Sequence, residues 1–266
     1  MPTLEHSGIQ QHYEVTGGGP PLILVAGMMS DSASWAPLLP LLEPHFTVIR
    51  PDNRTTGRTV PWDAPASVPL FAQDLAALVD HLGLGPCHVM GHSLGGMIAM
   101  HLASARPDCV KTLTLAASAP LRLARNIALF DSILAIRRSD APPDAWLRAL
   151  FLWLFSPTLY DTPDAIEMAA AASLAYPFAQ TTEAMAHQIA ALDSYTPDDI
   201  ATLRCPVQAL LADGDMLLPT ALALPTLGDT PVHHIAGAGH SIHWDAPEAV
   251  ARHLVDFITK HEEPPR

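Results

Sequence analysis

The chain has 266 residues, of which 49% are hydrophobic, so it is long enough to bury one large core and fits one domain with an insertion better than two equal domains. Fourteen basic and 27 acidic residues give a formal net charge of -13, which repels nucleic-acid phosphates and anionic lipid headgroups. We therefore expect neither nucleic acid nor a membrane as a partner. The first residues show no signal-peptide pattern and no apolar run approaches the ~20 residues of a membrane span, so we expect a cytoplasmic protein.

Short apolar, β-rich runs alternate with helical patterns along much of the chain. Six runs are predicted strands: 22–26, 46–50, 87–90, 110–116, 207–212 and 232–235. Four segments are predicted helices: 36–42, 70–82, 94–105 and 247–259. Because most of the strands are apolar throughout, we expect them to be buried on both faces of a mainly parallel sheet. The alternation predicts a doubly wound α/β fold, in which the residues that bind a ligand lie at the carboxyl ends of the strands.

The loop after the first predicted strand offers a backbone donor for a negatively charged substrate oxygen, and this loop and the middle of the chain offer other candidate substrate contacts. Gly27 allows close approach of the backbone, and the N–H of Met28 can point at a substrate oxygen. Arg122 could meet a substrate carboxylate. The candidate substrate-binding residues are Gly27, Met29, Trp35, His92, Arg122, Trp153 and Phe155.

Residues 89–97 read VMGHSLGGM and lie where a predicted strand meets a predicted helix. Residues 91–95 match the pattern G-x-S-x-G, which requires a strand-to-helix corner. The motif glycines prevent clashes in this cramped backbone, and Gly96 lets the helix lie close to the sheet. The corner predicts an exposed Ser93 hydroxyl that acts as a nucleophile, with the N–H of Leu94 as an oxyanion donor at the positive end of the helix.

A serine hydroxyl becomes a good nucleophile when a histidine takes its proton and a carboxylate orients that histidine. His240 is the predicted base because it follows the last predicted strand on a loop with two glycines, and His243 is the fallback. Asp213 and Asp215 both follow the strand 207–212, and either could supply the carboxylate. Asp215 is preferred because it lies further into the loop.

The alternation of strands and helices stops after the run 110–116. Residues 120–202 show no strand pattern and predict several Ala-rich helices. Prolines break these helices at positions 142–143, 157, 163, 177 and 197. The apolar and aromatic composition of the insertion predicts a helical lid over the edge of the sheet where a ligand would bind.

The sequence predicts no metal site and no cofactor. Cys87, Cys109 and Cys205 are odd in number and widely spaced, which favours buried free thiols over a disulfide framework or a metal site. His240 and His243 are close in sequence, but no cysteine or carboxylate cluster completes a metal-ligand set. We expect the protein to be a monomer or a homodimer.

The motifs resemble those of the α/β-hydrolase superfamily over essentially the whole chain. Five segments carry the resemblance: the oxyanion loop at 26–28, the D-x-R-G-x-G-x-S loop at 52–59, the nucleophile elbow at 91–95, the acid loop at 212–219 and the histidine loop at 239–248. The chain departs from the family pattern at Ala26, a usual histidine, at Thr55, a usual glycine, and at Thr59, a usual serine. The oxyanion donor is a backbone group and survives the first of these changes.

This resemblance implies an α/β-hydrolase fold, with a doubly wound, mainly parallel sheet of the eight-stranded type and a helical cap inserted after the sixth strand. Residues 1–119 and 203–266 would form the core, and residues 120–202 would form the cap. The resemblance also implies a triad of Ser93, Asp215 and His240.

Residues 153–157 and 204–208 carry a weaker resemblance to 3-oxoadipate enol-lactonases and to aminoacrylate hydrolases of pyrimidine breakdown. A serine at position 93 counts against haloalkane dehalogenase and epoxide hydrolase activity, because those enzymes place an aspartate there. We therefore expect a serine hydrolase of a small carboxylic ester or lactone, working through an acyl-enzyme intermediate. The alternatives are a ligand receptor of the same fold that does not turn over, and a C–C bond hydrolase or cofactor-free oxygenase.

Overall fold

The buried apolar segments form one eight-stranded sheet in a computed structural model that describes residues 2–262. The strands are β1 Thr3–His6, β2 Ile9–Gly17, β3 Pro21–Val25, β4 Thr47–Pro51, β5 Cys87–His92, β6 Val110–Ala116, β7 Val207–Ala212 and β8 Val232–Ile235. Their order across the sheet is β1-β2-β4-β3-β5-β6-β7-β8. Strand β2 is antiparallel to β1 and to β4, and the other neighbours are parallel. The predicted mainly parallel α/β sheet is therefore confirmed.

Helices cover the sheet and fill the middle of the chain. The α-helices within residues 2–262 are α1 Leu39–Leu42, α2 Val68–Leu82, α3 Leu94–Ala105, α4 Ala124–Arg138, α5 Ala145–Leu154, α6 Thr158–Asp161, α7 Ala165–Ala175, α8 Thr182–Asp193, α9 Thr220–Ala223, α10 Ile242–Asp245 and α11 Pro247–Glu262. Short 3-10 helices lie at Ser32–Trp35, Ile200–Thr202 and Leu224–Thr226. Helix α2 begins at Val68 rather than at residue 70 because the Ser67 side chain accepts the N–H of Leu70, and it ends at the left-handed Gly83.

The parallel strands are buried on both faces because successive side chains of a strand point to opposite sides of the sheet. In β3, Leu22 and Leu24 contribute to the hydrophobic layer that contains α1 and α11. Ile23 and Val25 contribute to the layer that contains α2 and α3. This arrangement accounts for strands that are apolar throughout.

Strands β3 and β5 are neighbours although β4 lies between them in the chain, so the strand order reverses at this pair. In doubly wound sheets, ligands bind beside the carboxyl ends of the strands at such a reversal. Gly27 follows β3 and Ser93 follows β5. The sheet therefore brings these two sequence-distant loops together.

Strands β1 and β2 were not predicted because they lack an apolar run. Residues of β1 alternate between exposed and half-buried, and β2 contains the buried polar residues Gln11 and His12. Strand β1 lies at the edge of the sheet and keeps polar side chains that meet solvent, whereas β2 lies between β1 and β4 and buries the polar residues Gln11 and His12.

Between β6 and β7 the chain forms helices α4 to α8 and the 3-10 helix Ile200–Thr202. The five predicted proline breaks all lie at the ends of these helices or between them. Cys87 and Cys109 are buried free thiols, and Cys205 is a half-buried one. No helix in the described part of the chain is both long and apolar enough to cross a bilayer.

Candidate active site

Ser93 occupies the corner between β5 and α3. Its backbone has φ 52° and ψ -120°, a conformation that residues with a side chain rarely adopt. A Cβ atom at Gly91 would lie 2.2 Å from the carbonyl oxygen of Gly95, and one at Gly95 would lie 2.0 Å from that of Val25. The chain can turn this sharply because both positions lack a side chain.

A hydrogen-bonded series connects three side chains from three loops. The Oγ atom of Ser93 lies 2.8 Å from Nε2 of His240, and Nδ1 of His240 lies 2.7 Å from Oδ2 of Asp215. An ionised carboxylate only accepts hydrogen bonds, so Nδ1–H of His240 donates to Asp215. The Nε2 atom of His240 is then left to accept the serine hydroxyl. This arrangement can transfer a proton from the serine to the imidazole.

Asp215 is held in place by the backbone that follows it. Its Oδ1 atom accepts the N–H groups of Leu217 at 2.8 Å and of Leu218 at 2.7 Å. Burial alone would raise the pKa of this carboxyl, but the charge and hydrogen bond of His240, together with these two N–H groups, lower the pKa below its ordinary value. The neighbouring Asp213 instead lies 3.2 Å from His234 and its side chain is 55% exposed. Of the two aspartates left open by the sequence, Asp215 is the one that reaches His240.

The loop 26–30 runs beside Ser93. A Cβ atom at Gly27 would lie 3.3 Å from Cβ of Ser93, so a side chain at position 27 would crowd the serine. The backbone N–H groups of Met28 and Leu94 donate a hydrogen bond to none of residues 2–262. Both residues line the cavity at Ser93. Two unpartnered N–H groups beside a serine hydroxyl can stabilise a negatively charged oxygen.

A small, mostly apolar cavity opens onto Ser93 and His240. Its walls come from the core loops and from the insertion, and are formed by Met28, Ser93, Leu94, Met97, Ala117, Ser118, Ala119, Leu121, Leu123, Asn126, Phe130, Leu192, Leu217, Leu218 and His240. The space in which the centre of a water molecule fits is about 40 Å³. Since one water needs about 10–15 Å³ by this measure, the cavity holds a few atoms beyond the serine.

The sequence profile of the alpha/beta hydrolase family matches residues 22–253, which cover nearly all of β3, strands β4 to β8, the insertion and all three side chains of the hydrogen-bonded series. The chain belongs to the alpha/beta hydrolase family.

Relatives and solved structures agree with this assignment over nearly the whole hydrolase. A protein of Azorhizobium caulinodans named carbamate hydrolase RutD is 30% identical to this chain, over 97% of this chain and 98% of its own. A thermophilic esterase from Thermogutta terrifontis is 25% identical, with a TM-score of 0.82 over 98% of this chain and 97% of its own. An enol-lactonase from Burkholderia xenovorans is 20% identical, with a TM-score of 0.81 over 97% of this chain and 100% of its own, and shows that the fold is shared.

Two of the residues expected to contact substrate in this hydrolase, His92 and Trp35, are buried and are not part of the cavity wall. His92 is buried, its Nε2–H donates to the carbonyl oxygen of His240 at 2.9 Å, and its ring lies 4.5 Å from that of His243. Burial, and then the charge of His240, lower the pKa of His92 to about 3, so this imidazole is neutral. Trp35 is fully buried and its ring contacts His243 with centroids 4.8 Å apart. Trp35, a predicted substrate contact, is not part of the cavity wall, because the 3-10 helix that carries it turns this ring into the core.

Four further candidates lie outside the cavity wall. The guanidinium of Arg122 donates to the carboxylate and to the carbonyl oxygen of Asp193. Phe155 packs against Phe151, with ring centroids 5.5 Å apart, and Trp153 packs against the main core. The N–H of Met29 donates to a side chain of the insertion. Each of these contacts depends on how the insertion packs against the core, which cannot be predicted from the spacing of residues in the sequence.

Several cavity residues were not predicted. They are Met97, Ala117, Ser118, Ala119, Leu121, Leu123, Asn126, Phe130, Leu192, Leu217 and Leu218. Most of them are apolar and typical of a core in sequence. Ser118, just after β6, and Asn126, near the start of a helix in the insertion, are the two polar ones. Among residues 2–262, no group of three or more His, Cys, Asp or Glu side chains is arranged to hold a metal ion.

Proposed function

We propose that this α/β hydrolase cleaves a small carboxylic ester or lactone through an acyl-enzyme intermediate on Ser93. The observation that carries the proposal is the hydrogen-bonded series from Asp215 through His240 to Ser93, which ends at a cavity. The family assignment supports hydrolysis as the class of reaction.

In this mechanism, Ser93 Oγ attacks the substrate carbonyl carbon while His240 Nε2 takes the hydroxyl proton. Asp215 orients the imidazole and stabilises it when it carries two protons. The N–H groups of Met28 and Leu94 donate to the tetrahedral oxyanion. Each such donor lowers the activation free energy by on the order of 3 kcal/mol. His240 then protonates the leaving alcohol, and a water molecule activated by His240 releases the acid and restores the serine.

The size of the cavity supports a small acyl group. About 40 Å³ beyond the serine accommodates an acetyl or similar group, and apolar side chains from the insertion, such as Phe130 and Leu192, form part of the cavity wall. We propose that the insertion 120–202 acts as the cap that limits the acyl length. Rates on aryl esters should therefore fall as the acyl chain lengthens from acetyl to hexanoyl.

The experiment that tests this mechanism compares wild type with Ser93→Ala on an aryl acetate and with a fluorophosphonate probe. Wild type should turn over many times per chain and be labelled at Ser93, and the variant should lose activity by about 10³-fold or more and remain unlabelled. A receptor of the same fold would stop after about one turnover. Unchanged hydrolysis by the variant would refute the mechanism.

Carbamate hydrolysis is a second candidate substrate class. The relative from Azorhizobium caulinodans is named carbamate hydrolase RutD. In the cavity wall, Nδ2 of Asn126 donates to the carbonyl oxygen of Leu217 at 2.8 Å, which leaves Oδ1 of Asn126 buried and without a hydrogen-bond partner among residues 2–262. A buried acceptor without a partner is costly, and the NH₂ group of a carbamate can satisfy it.

Phenyl carbamate and phenyl acetate separate these two substrate classes, because NH₂ and CH₃ have similar size and only the former donates hydrogen bonds. If carbamates are substrates, Asn126→Leu should lower kcat/KM for phenyl carbamate about 10-fold more than for phenyl acetate. The comparison of variant with wild type cancels the different intrinsic reactivities of the two esters. Equal changes for both would exclude a role of Asn126 in carbamate recognition.

A further inference from the structure

Several side-chain hydrogen bonds tie the insertion to the loops at the carboxyl end of the sheet, and three of them reach the loops that follow β3 and β4. Tyr176 donates to Asp31 at 2.8 Å, and Nε2 of Gln180 donates to the carbonyl oxygen of Thr55 at 2.9 Å. The third bond runs from the N–H of Met29 to Oε1 of Gln188 at 2.8 Å. Only this third bond of the set reaches the loop 26–30, which carries the proposed oxyanion donor.

Met29 adopts a backbone conformation that needs support. Its φ is 61°, in the left-handed region that favours glycine or asparagine. It is the third residue of a tight turn in which the N–H of Ser30 donates to the carbonyl oxygen of Gly27 at 3.3 Å. Gln188 is fully buried on α8, so solvent does not compete for its bond to Met29. This bond therefore helps to hold the turn in its strained form.

Met28 lies between two points at which the loop is held. On one side, Nδ2 of Asn53, a residue of the core, donates to the carbonyl oxygen of Ala26 at 3.0 Å. On the other side, Gln188 accepts the N–H of Met29. The direction of the Met28 N–H depends on the peptide planes on both sides of the residue, since each plane is rigid. One of the two restraints comes from the core and the other from the insertion.

We infer that Gln188 is a positioning residue that aims the Met28 N–H at the reacting oxygen, so that the insertion completes the oxyanion site. The inference rests on the proposed function. Helix α8 also contributes Leu192, one turn after Gln188, to the cavity wall. The same helix thus both bounds the cavity and restrains the donor. Oxyanion stabilisation requires donors that are fixed before the charge develops.

The test compares Gln188→Met with Gln180→Met. Both glutamines are buried in the insertion, each makes one side-chain hydrogen bond to a core loop, and each has its other amide atom without a partner among residues 2–262. Methionine has a similar length and removes the hydrogen bond. Gln188→Met should lower kcat for an aryl acetate about 10- to 100-fold, with KM changed less than about threefold. It should also raise the inhibition constant of an aryl boronic acid by the same factor by which kcat falls. Gln180→Met should keep kcat within about twofold.

Gln188→Glu keeps an acceptor oxygen, and burial at this position favours the uncharged carboxyl, so the variant should retain kcat within about fivefold of wild type. This variant also decides the question if Gln188→Met does not fold. Equal kcat values for Gln188→Met and Gln180→Met, or a loss of more than about 10-fold in Gln188→Glu, would overturn the inference. A wild-type protein that is neither labelled by fluorophosphonate nor active on esters would instead overturn the proposed function, so the two failures are distinguishable.

Discussion

At the scale of single residues, Asp213 and Asp215 lie on one loop but in different environments. The side chain of Asp215 is 1% exposed and bonded to His240, whereas that of Asp213 is 55% exposed and faces His234. Asp215→Asn should lower kcat/KM for an aryl acetate by about 10³- to 10⁴-fold, because an amide does not hold the imidazole in the tautomer that accepts the serine proton. Asp213→Asn is the matched control and should stay within about twofold of wild type. Comparable losses in both variants would contradict the assignment.

Thr55 occupies the position of the first glycine in the D-x-R-G-x-G-x-S pattern, and its φ of 71° lies in the left-handed region that favours glycine. Its hydroxyl is buried without a partner among residues 2–262, whereas the hydroxyl of the adjacent Thr56 donates to the carbonyl oxygen of Asn53 at 2.7 Å. Both side chains are buried, so removing either leaves a similar cavity. Thr55→Gly relieves strain of about 1–2 kcal/mol, and Thr56→Gly loses a hydrogen bond of about 1 kcal/mol. Thr55→Gly should therefore be the more stable variant by about 2 kcal/mol in urea unfolding, and the reverse order would contradict the strain argument.

At the scale of elements, α3 lies very close to the segment that follows β6. A Cβ atom at Gly96 would lie 2.3 Å from Oγ of Ser118, which donates to the carbonyl oxygen of Ser93 at 2.8 Å. Alanine normally stabilises a helix relative to glycine by about 1 kcal/mol. At position 96 the added methyl group would overpack the contact with Ser118, so Gly96→Ala should lower the free energy of unfolding by about 1–3 kcal/mol.

Ser118→Gly makes room for the added methyl group and supplies the control. The double variant Gly96→Ala with Ser118→Gly should be more stable than the sum of the single changes predicts, by about 1–3 kcal/mol in urea unfolding. Additive effects would mean that the two elements do not meet at this contact.

At the scale of the whole molecule, two buried histidines make stability depend on pH. Burial lowers the pKa of His92 to about 3, and burial, together with the charges of His92 and His240, holds the pKa of His243 well below its ordinary value. Below about pH 6.5 the unfolded chain binds protons at these positions that the folded protein does not bind. The free energy of unfolding should therefore fall as the pH drops from 6.5 towards 3, by up to about 1.4 kcal/mol per pH unit for each histidine.

His243→Phe removes one of these two groups and keeps an aromatic ring against Trp35. Nδ1 of His243 has no hydrogen-bond partner among residues 2–262, so the phenyl ring loses no bond at that atom. Urea unfolding between pH 7 and pH 4 should show a slope smaller than that of wild type by about 1 kcal/mol per pH unit. Identical slopes would show that His243 is not the source of the acid sensitivity.

Much of the fold was predictable because its signals are local. Three predicted strands, at 110–116, 207–212 and 232–235, and the helix at 94–105 have the bounds found in the structure. Apolar runs and helical periodicity act over a few residues, as does the steric demand of the corner at Ser93. The polar strands β1 and β2 were missed because they lack an apolar run, and the burial of Gln11 and His12 in β2 depends on neighbours that are remote in sequence.

The sequence by itself determined the alternation of strands and helices, the corner that presents Ser93, and the short list of histidine and aspartate candidates, since each depends on adjacent residues and their backbone preferences. Only the tertiary structure separated Asp215 from Asp213, left Trp35 and Arg122 outside the cavity wall, and brought Gln188 to the loop 26–30. These outcomes depend on distances between segments far apart in the chain. Such distances are set by the packing of the insertion against the sheet, which no local pattern encodes.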